Sequence, residues 1–490
     1  MIKVKKEIIK LSTIFIIVIL FTLGLFPSHY ATDTYNIIEL GFEEYAKKWF
    51  SPSGRTVGML LLFMFEKLQL TCDQYIFVSK IFSVIIATVS IYLFNNMFVK
   101  YSKCENNKIK EIAFLVISLV IFLNHGTYQY FYYPEACVMW LGVLMVVLAI
   151  KINLNNEAKF RFIKSFICIF VAMNCYQAVI FFYIPARLLF MGLNNESFKR
   201  IIINTIKDCV AVGISMLLGY VLIEILTEYY KSSPYLAHDF ILSFILIKHY
   251  IKLIIFYFVG SVPNYLILTM NILTISFALI LPEKFYRVDK KKAIFVELLI
   301  IISAFAQVLA MISLTGFYMA DRIQFSYVSL IGINMAFILG YTNLLNIKKI
   351  NISFLSICLV LLILNVWNSI DITLASIETR ELDVEIGYKI ADMIEDYERH
   401  NQKVKKVVYC YDKDCSGANE NVRTTGDPTL RILAGDWVLD NAIRCLTNRK
   451  DLYFEYRQSE YITIFEKKVW DEFSEEQIQF VDDTMYYCIY

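Results

Sequence analysis

The chain has 490 residues, of which 58% are hydrophobic and 19% are charged, and its mean hydropathy is +0.54. Soluble domains are about half apolar and about a quarter charged, so this composition excludes an ordinary soluble protein. The formal net charge of +2 gives no sign of a nucleic-acid partner. Apolar runs recur up to about residue 371, and a membrane helix needs about 20 apolar residues. The sequence therefore predicts a polytopic α-helical membrane protein.

Eleven segments have the length and composition of membrane helices. They cover residues 8–26, 74–99, 111–124, 136–150, 162–175, 177–193, 209–226, 263–282, 293–314, 326–346 and 352–370. The first segment follows several Lys residues, as in a signal peptide, but no small-residue cleavage pattern comes after it. We therefore interpret it as an uncleaved first membrane helix.

Lys and Arg residues indicate the orientation of these helices, because cytoplasmic loops are enriched in them. With eleven crossings, all the basic segments fall on one side of the membrane. This predicts a cytoplasmic N-terminus and a C-terminus outside the cytoplasm. Residues 235–258 are also apolar, but a crossing there would break the alternation of basic loops. We predict that they form an interfacial or re-entrant helix on the outer face, and residues 56–70 a second one.

The composition changes near residue 372, where the membrane-length apolar runs end. We predict two domains, a membrane domain over 1–371 and a small extracytoplasmic α+β domain over 372–490. The segment "ELDVEIGYKIADMIEDYERH" has helical spacing, whereas "KVKKVVYCYD" and "EYITIFEKK" alternate like strands. The second domain holds four cysteines, which are compatible with two disulfides or with free thiols. They are Cys410, Cys415, Cys445 and Cys488.

The predicted outer loops each bring polar side chains close to a membrane boundary. Ordinary solvated loops explain most of the Glu and Lys residues there. They explain less well the isolated charged side chains beside apolar helices, because charge near hydrocarbon is costly and marks functional candidates. The outer-loop candidates are Asp33, Arg55, Glu135, Gln177, His238, Asp321 and Arg322.

This set of side chains suits the transfer of a sugar from a lipid phosphate. A carboxylate can take the proton of an acceptor hydroxyl, which then attacks the anomeric carbon. An Arg side chain binds the departing phosphate with two hydrogen bonds at once. Tyr35 and Tyr133 suit either stacking on a sugar or anchoring at the membrane interface. No Cys or His spacing resembles a zinc site.

Four stretches resemble the bacterial and phage type II glucosyltransferase family, which modifies O-antigen and related surface glycans. They are "ATDTYNI", "SGRTVGMLL", "NHGTYQYFYYPEACVMWLGVLMVVLA" and "MNCYQAVIFFYI". The chain differs from that family in two places. Thr32 precedes Asp33 where adjacent acids are common, and Thr56 follows Arg55 where Pro is common.

The resemblance implies a GT-C glycosyltransferase fold in the bacterial inner membrane. It also implies an undecaprenyl-phosphate-linked glucose donor and a glycan acceptor outside the cytoplasm. Asp33 would be the candidate catalytic base, Arg55 would lie in the catalytic loop, and Glu135 would be a second acidic group of the catalytic site. From the chemistry of their side chains, we predict that Arg55 and Arg322 bind the donor phosphate. Substrate contacts are expected from Tyr35, Tyr133, Gln177, His238 and Asp321. We predict no dedicated metal ligands, although some GT-C enzymes use a divalent cation that Asp33 and Glu135 could hold.

Two other functions fit a polytopic envelope protein. One is a transporter or flippase of a lipid-linked sugar, which would place polar residues at mid-membrane and often shows repeated halves. The other is a glycan polymerase or ligase, which tends to carry a long Arg-rich outer loop. Here the polar residues gather in outer loops and the last of these is short, so we expect a glucosyltransferase.

Overall fold

The structure is a computed structural model that describes most of the chain. The described residues are 2–23, 25, 30–102, 108–155, 157, 159–232, 258–259, 262–315, 320–342, 348–415 and 427–490. The predicted interfacial helix over 235–258 and the predicted site residue His238 therefore lie outside the described residues, apart from residue 258.

Helices dominate the described part of the chain. The longer ones are α1 (Ile2–Phe21), α2 (Thr32–Tyr45), α3 (Thr56–Lys67), α4 (Cys72–Tyr101), α5 (Lys108–Phe122), α6 (His125–Tyr132), α7 (Ala136–Leu154), α8 (Arg161–Cys175), α9 (Tyr183–Leu193), α10 (Phe198–Tyr230), α11 (Asn264–Ile280), α12 (Lys290–Thr315), α13 (Leu330–Tyr341), α14 (Lys348–His400) and α15 (Leu439–Thr447). Shorter helical turns include Ala46–Phe50, Ser51–Ser53, Gln177–Phe182, Asp321–Gln324, Phe325–Val328, Asp427–Thr429 and Glu460–Thr463.

Five of the described helices are long and apolar enough to cross a membrane. Three of them are α4 (Cys72–Tyr101), α7 (Ala136–Leu154) and α10 (Phe198–Tyr230). The other two are the span Asp321–Tyr341, which ends in α13, and the part Ile352–His400 of α14. A sixth is added if α5 and α6, which meet at a bend of 62°, count as one broken span. These helices support a polytopic membrane protein, whereas the count of eleven stays a prediction.

The bend between α5 and α6 follows from the residue at its corner. Asn124 has an extended backbone, with φ −135° and ψ 176°, so the α-helix stops there. Its side chain accepts a hydrogen bond from the Thr127 backbone N–H, and the Thr127 hydroxyl accepts one from the Asn124 N–H. This reciprocal capping starts α6 in a new direction. As a result, α6 leaves the direction of α5 at 62° and leads into Glu135.

A mixed four-stranded sheet lies near the C-terminus. Its strands are β3 (Lys406–Tyr411), β4 (Tyr453–Tyr456), β5 (Ile478–Val481) and β6 (Thr484–Ile489), in the order β4-β3-β6-β5. The β3 strand is parallel to both neighbours, and β5 is antiparallel to β6. The first two strands of the chain, β1 (Phe258–Val259) and β2 (Val262–Pro263), form a separate small antiparallel pair.

The sheet packs on the last turns of α14. Ile386, Ile390 and Ile394 recur every four residues, lie on one helix face and share an apolar core with the strand residues Val407 and Tyr487. The predicted helix over 381–400 and the predicted strand in "KVKKVVYCYD" are therefore confirmed. The predicted strand in "EYITIFEKK" is wrong, because residues 460–463 form a helical turn.

The helix α14 is continuous from the membrane segment to this sheet. Its 53 residues include position 371, so the predicted boundary between the two domains lies inside a helix. In the C-terminal half of α14, Asp383 accepts hydrogen bonds from Arg431 Nε at 3.3 Å and from the Ile432 backbone N–H at 2.6 Å. Arg380 donates to the Leu430 carbonyl at 2.7 Å. These bonds fix the chain around residues 430–432 against α14.

We expect Asp383→Ala to destabilise the C-terminal region by about 3–5 kcal/mol, because it leaves the buried Arg431 guanidinium without its anionic partner. Both side chains are 1% exposed. The measurement is thermal unfolding of the detergent-solubilised protein. Asp392→Ala is the control, since Asp392 is exposed on the same helix. An unchanged unfolding temperature for Asp383→Ala would contradict this role.

Candidate active site

A cavity of about 350 Å³ lies where the predicted outer loops meet the C-terminal region. Residues from distant parts of the chain form its wall. They are Thr32, Asp33, Tyr45, Trp49, Ser53, Arg55, Tyr133, Glu135, Arg322, Asp427, Asp436 and Trp437. The wall therefore combines four carboxylates, two guanidinium groups and several aromatic rings, which is the composition of a polar ligand site.

Asp33 is the second residue of α2, a helix that begins directly after the extended residue Ala31. The helix N-terminus favours a negative charge at this position. Among the described residues, none donates a hydrogen bond to the Asp33 carboxylate, which faces the cavity. Burial raises the pKa of Asp33, and the positive charges of Arg322 and Arg55 oppose that rise. The carboxylate is thus available to a ligand.

Arg55 is presented to the cavity by a tight turn. Gly54 has φ +71°, a left-handed conformation that favours glycine. A Cβ there would also come within 2.5 Å of the Ile223 side chain. Arg55 Nη1 donates to Glu135 Oε1 at 3.1 Å, and its guanidinium lies 5.2 Å from the centre of the Tyr176 ring. Its buried Nε has no hydrogen-bond partner among the described residues.

Glu135 is the residue that precedes α7, and only one of its carboxylate oxygens is paired. Burial and the neighbouring Asp33 charge raise the pKa of Glu135 to about 7, while Arg55 acts in the opposite direction. Its Oε2 is buried and has no hydrogen-bond partner among the described residues. Two carboxylates with raised pKa values in one cavity are typical of an acid–base site.

Arg322 supplies the second guanidinium group of the cavity. Its Nη1 donates to Gln129 Oε1 and to the Tyr133 hydroxyl, each at 2.9 Å, and forms an ion pair with Asp427. The guanidinium also lies 4.6 Å from the centre of the Tyr133 ring. Two helix-bundle residues and one residue of the C-terminal region therefore hold this side chain.

Asp321 lies behind Arg322 and does not line the cavity. It is 2% exposed, and its Oδ2 lies 2.5 Å from His125 Nε2 and 3.3 Å from Gln129 Nε2. Gln129 in turn accepts the hydrogen bond from Arg322. The arrangement suits Asp321 to fix the orientation of Gln129 and, through it, of Arg322.

The structure brings together five of the nine side chains expected from the sequence. Asp33, Glu135, Arg55, Arg322 and Tyr133 line one cavity, although their catalytic and binding roles stay predictions.

Three of the others lie elsewhere, and His238 is outside the described residues. Tyr35 is 3% exposed and packs in the apolar core of the C-terminal region. Gln177 donates from Nε2 to the Ser53 carbonyl at 2.5 Å, so it braces the turn that presents Arg55. Asp321 occupies the buried position described above. None of these three belongs to the cavity wall.

Sequence reasoning missed the contribution of the C-terminal region. Asp427, Asp436 and Trp437 belong to the segment that α14 holds in place. Tyr45 is the last residue of α2, and Trp49 lies in the helical turn that follows it. The sequence offers one weak signal, the polar stretches "GDPT" and "AGDWV" between regular elements. Nothing in their spacing indicates which loop of this region faces the helix bundle.

The donor set of the cavity suits an anionic ligand. Within the described ranges, no three His, Cys, Asp or Glu side chains are grouped so that they could hold a metal ion. Asp33 and Glu135, the pair considered for a divalent cation, share the cavity with two guanidinium groups, and Arg55 occupies one oxygen of Glu135. The divalent cation that Asp33 and Glu135 could hold stays a prediction.

Comparison with known proteins identifies the family. No curated protein and no solved structure shows a significant match to the chain. A family model described as glucosyl transferase GtrII matches residues 25–326, which include Asp33, Arg55, Glu135 and Arg322. The matched segment is more than half of the chain. The chain therefore belongs to the glucosyl transferase GtrII family and is a glycosyltransferase.

Proposed function

We propose that this enzyme moves glucose from a polyprenyl-phosphate-linked donor to a cell-surface glycan, with inversion at the anomeric carbon. The observation that supports this proposal best is the shared cavity of Asp33, Arg55 and Arg322. The Asp33 carboxylate accepts no hydrogen bond from the described residues, and it shares the cavity with two guanidinium groups. Membership of a glucosyl transferase family favours transfer over transport or polymerisation.

The proposal places the reaction on the outer face of the bacterial inner membrane. It includes a GT-C-like bundle of about eleven membrane helices, outer interfacial helices, a cytoplasmic N-terminus and an extracytoplasmic C-terminal domain. Two observations support this arrangement. The basic segments of the sequence fall on one side of the predicted topology, and the cavity wall consists of predicted outer loops together with the C-terminal region.

In this mechanism Asp33 is the general base. It accepts the proton of an acceptor hydroxyl while that oxygen forms a bond to the anomeric carbon of glucose. The bond between the anomeric carbon and the phosphate oxygen breaks, and its electron pair leaves with the lipid phosphate. A base works best when its pKa lies near the working pH, and burial raises the pKa of Asp33 in that direction.

Arg55 and Arg322 bind the phosphate and stabilise the charge that it gains as the bond breaks. The unpartnered buried Nε of Arg55 supports this role. Arg322 already holds an anion, the Asp427 carboxylate. Glu135 supports the site indirectly, since its ion pair orients Arg55. The phosphate thus replaces carboxylate contacts that hold both guanidinium groups in position.

We expect Asp33→Asn to lower kcat by about 10²- to 10⁴-fold, because the amide cannot accept the hydroxyl proton. The measurement is transfer of labelled glucose from polyprenyl-phosphate glucose to envelope glycan by the enzyme in liposomes. Glu44→Gln is the control, since Glu44 is an exposed acid on the same helix. A fully active Asn variant would remove Asp33 from the mechanism.

We expect Arg322→Ala to lower kcat/KM for the donor by about 100-fold. Arg322→Lys should recover only part of this loss, because an ammonium group lacks the planar fork that binds phosphate. Arg399→Ala is the control, since the Arg399 side chain is 60% exposed. An equal loss of activity in the two Arg322 variants would indicate a structural role for Arg322 rather than phosphate binding.

The transfer rate should rise as the pH increases through the pKa of Asp33, which burial raises above its ordinary value. A raised pKa keeps a carboxyl protonated to higher pH, so the ionised base is lost as the pH falls. Glu135→Gln removes one negative charge and frees Arg55 to act on Asp33. We therefore expect the acidic limb of its pH profile to move down by about one unit. An unchanged limb would contradict the electrostatic coupling of the two acids.

A further inference from the structure

We propose that Asp436 and Trp437 form the acceptor subsite of this enzyme and select the glycan that receives glucose. This proposal rests on the proposed function. It assigns a substrate to the part of the cavity wall that the C-terminal region provides. It also separates two halves of the site, one that binds the lipid phosphate and one that binds a neutral sugar.

The exposure of these two side chains is the first argument. Trp437 is 41% exposed although it lines a cavity, so a large apolar ring is open to a ligand. Asp436 is exposed beside it, and none of the described residues donates a hydrogen bond to its carboxylate. An aromatic ring packs against the C–H face of a sugar, and an ionised carboxylate accepts hydrogen bonds from hydroxyl groups. Together they offer both kinds of contact that a sugar ring needs.

The second argument is that the segment carrying them is fixed before a ligand binds. Tyr132 Oη donates to the Pro428 carbonyl at 3.2 Å, and Asn441 Nδ2 donates to Asn36 Oδ1 at 2.6 Å. These bonds tie both ends of the segment to the helix bundle and to α2. Gly435 leaves room for the ring, because a Cβ there would lie only 3.3 Å from the Trp437 indole. A preorganised subsite avoids much of the cost of ordering on binding.

The third argument separates acceptor from donor. The charge of the donor is its phosphate, which an additional carboxylate such as Asp436 would repel, whereas a neutral glycan carries only hydroxyl groups in need of acceptors. The cationic side chains of the cavity, Arg55 and Arg322, lie within the matched residues 25–326, and Asp436 and Trp437 lie beyond them. The shared glucosyl chemistry thus belongs to the first group, and the choice of acceptor to the second.

The test compares Trp437→Ala, Trp437→Phe and Asp436→Asn in the full-length enzyme. Trp367→Ala and Asp471→Asn are matched controls, since Trp367 is 70% exposed on α14 and Asp471 is exposed. The acceptor probe is polysaccharide released by mild acid from the envelope of cells in which the wild-type chain is active. The measured quantities are the KM for this acceptor, the KM for polyprenyl-phosphate glucose, and the rate of donor hydrolysis by water.

We expect Trp437→Ala to raise the acceptor KM by about tenfold, with the donor KM and the hydrolysis rate unchanged. Trp437→Phe should keep most of the affinity because it retains a stacking ring. Asp436→Asn should raise the acceptor KM by about three- to tenfold. The controls should match the wild type.

Three results would overturn the proposal. A rise in the donor KM would assign the subsite to glucose or its lipid. A lower amount of protein in the membrane with unchanged kinetics would make Trp437 an interfacial anchor. Unchanged kinetics and abundance would mean that there is no subsite.

Equilibrium dialysis with labelled oligosaccharides from the same polysaccharide tests the subsite without any donor. If the donor is wrongly assigned, the wild-type enzyme transfers no glucose but still binds the oligosaccharides. If the acceptor subsite is wrongly assigned, the wild-type enzyme and the Trp437 variants bind the oligosaccharides equally.

Discussion

The Arg322 guanidinium is the contact on which the site depends. It joins Gln129 and Tyr133 of the α6 corner to Asp427 of the C-terminal region through one nitrogen. The two side chains of this ion pair are 11% and 16% exposed. Removing one partner leaves a charge that is largely withdrawn from water without compensation, so these parts of the chain are coupled energetically. The C-terminal region is therefore part of the cavity wall and not an appendage. The continuous helix α14 also connects the C-terminal region covalently to the membrane helices.

A balance of charges explains why the cavity is polar and yet stable. Buried carboxylates are costly unless cations or hydrogen bonds compensate them, and here two guanidinium groups offset Asp33, Glu135 and Asp427. The compensation is incomplete, because burial still raises the pKa values of Asp33 and Glu135. Because the charges of the cavity are not fully compensated, Arg55 and Arg322 can exchange their carboxylate partners for a charged substrate. Such partial satisfaction is expected at functional sites rather than in a structural core.

The sequence predicted the helical membrane character and five of the twelve residues of the cavity wall, for physical reasons that can be stated. Isolated charges beside apolar helices stand out because hydrocarbon penalises them, and this rule selected Asp33, Glu135, Arg55 and Arg322. The same rule gave no information on Asp427, Asp436 or Trp437, because the C-terminal region is polar throughout and its loops have no period. Asp321 was chosen correctly as unusual, but sequence cannot distinguish a cavity residue from the buried residue that holds its neighbour.

The central claim is that Arg55 and Arg322 bind the lipid phosphate while Asp33 faces the anomeric carbon. A structure of the enzyme with bound polyprenyl-phosphate glucose tests it most directly. We predict that phosphate oxygens lie about 2.7–2.9 Å from nitrogens of both guanidinium groups. The Asp427 carboxylate should then have moved away from Arg322, and the glucose ring should lie between the phosphate and Asp33. A phosphate bound elsewhere on the chain, with the Arg322–Asp427 pair intact, would contradict this account.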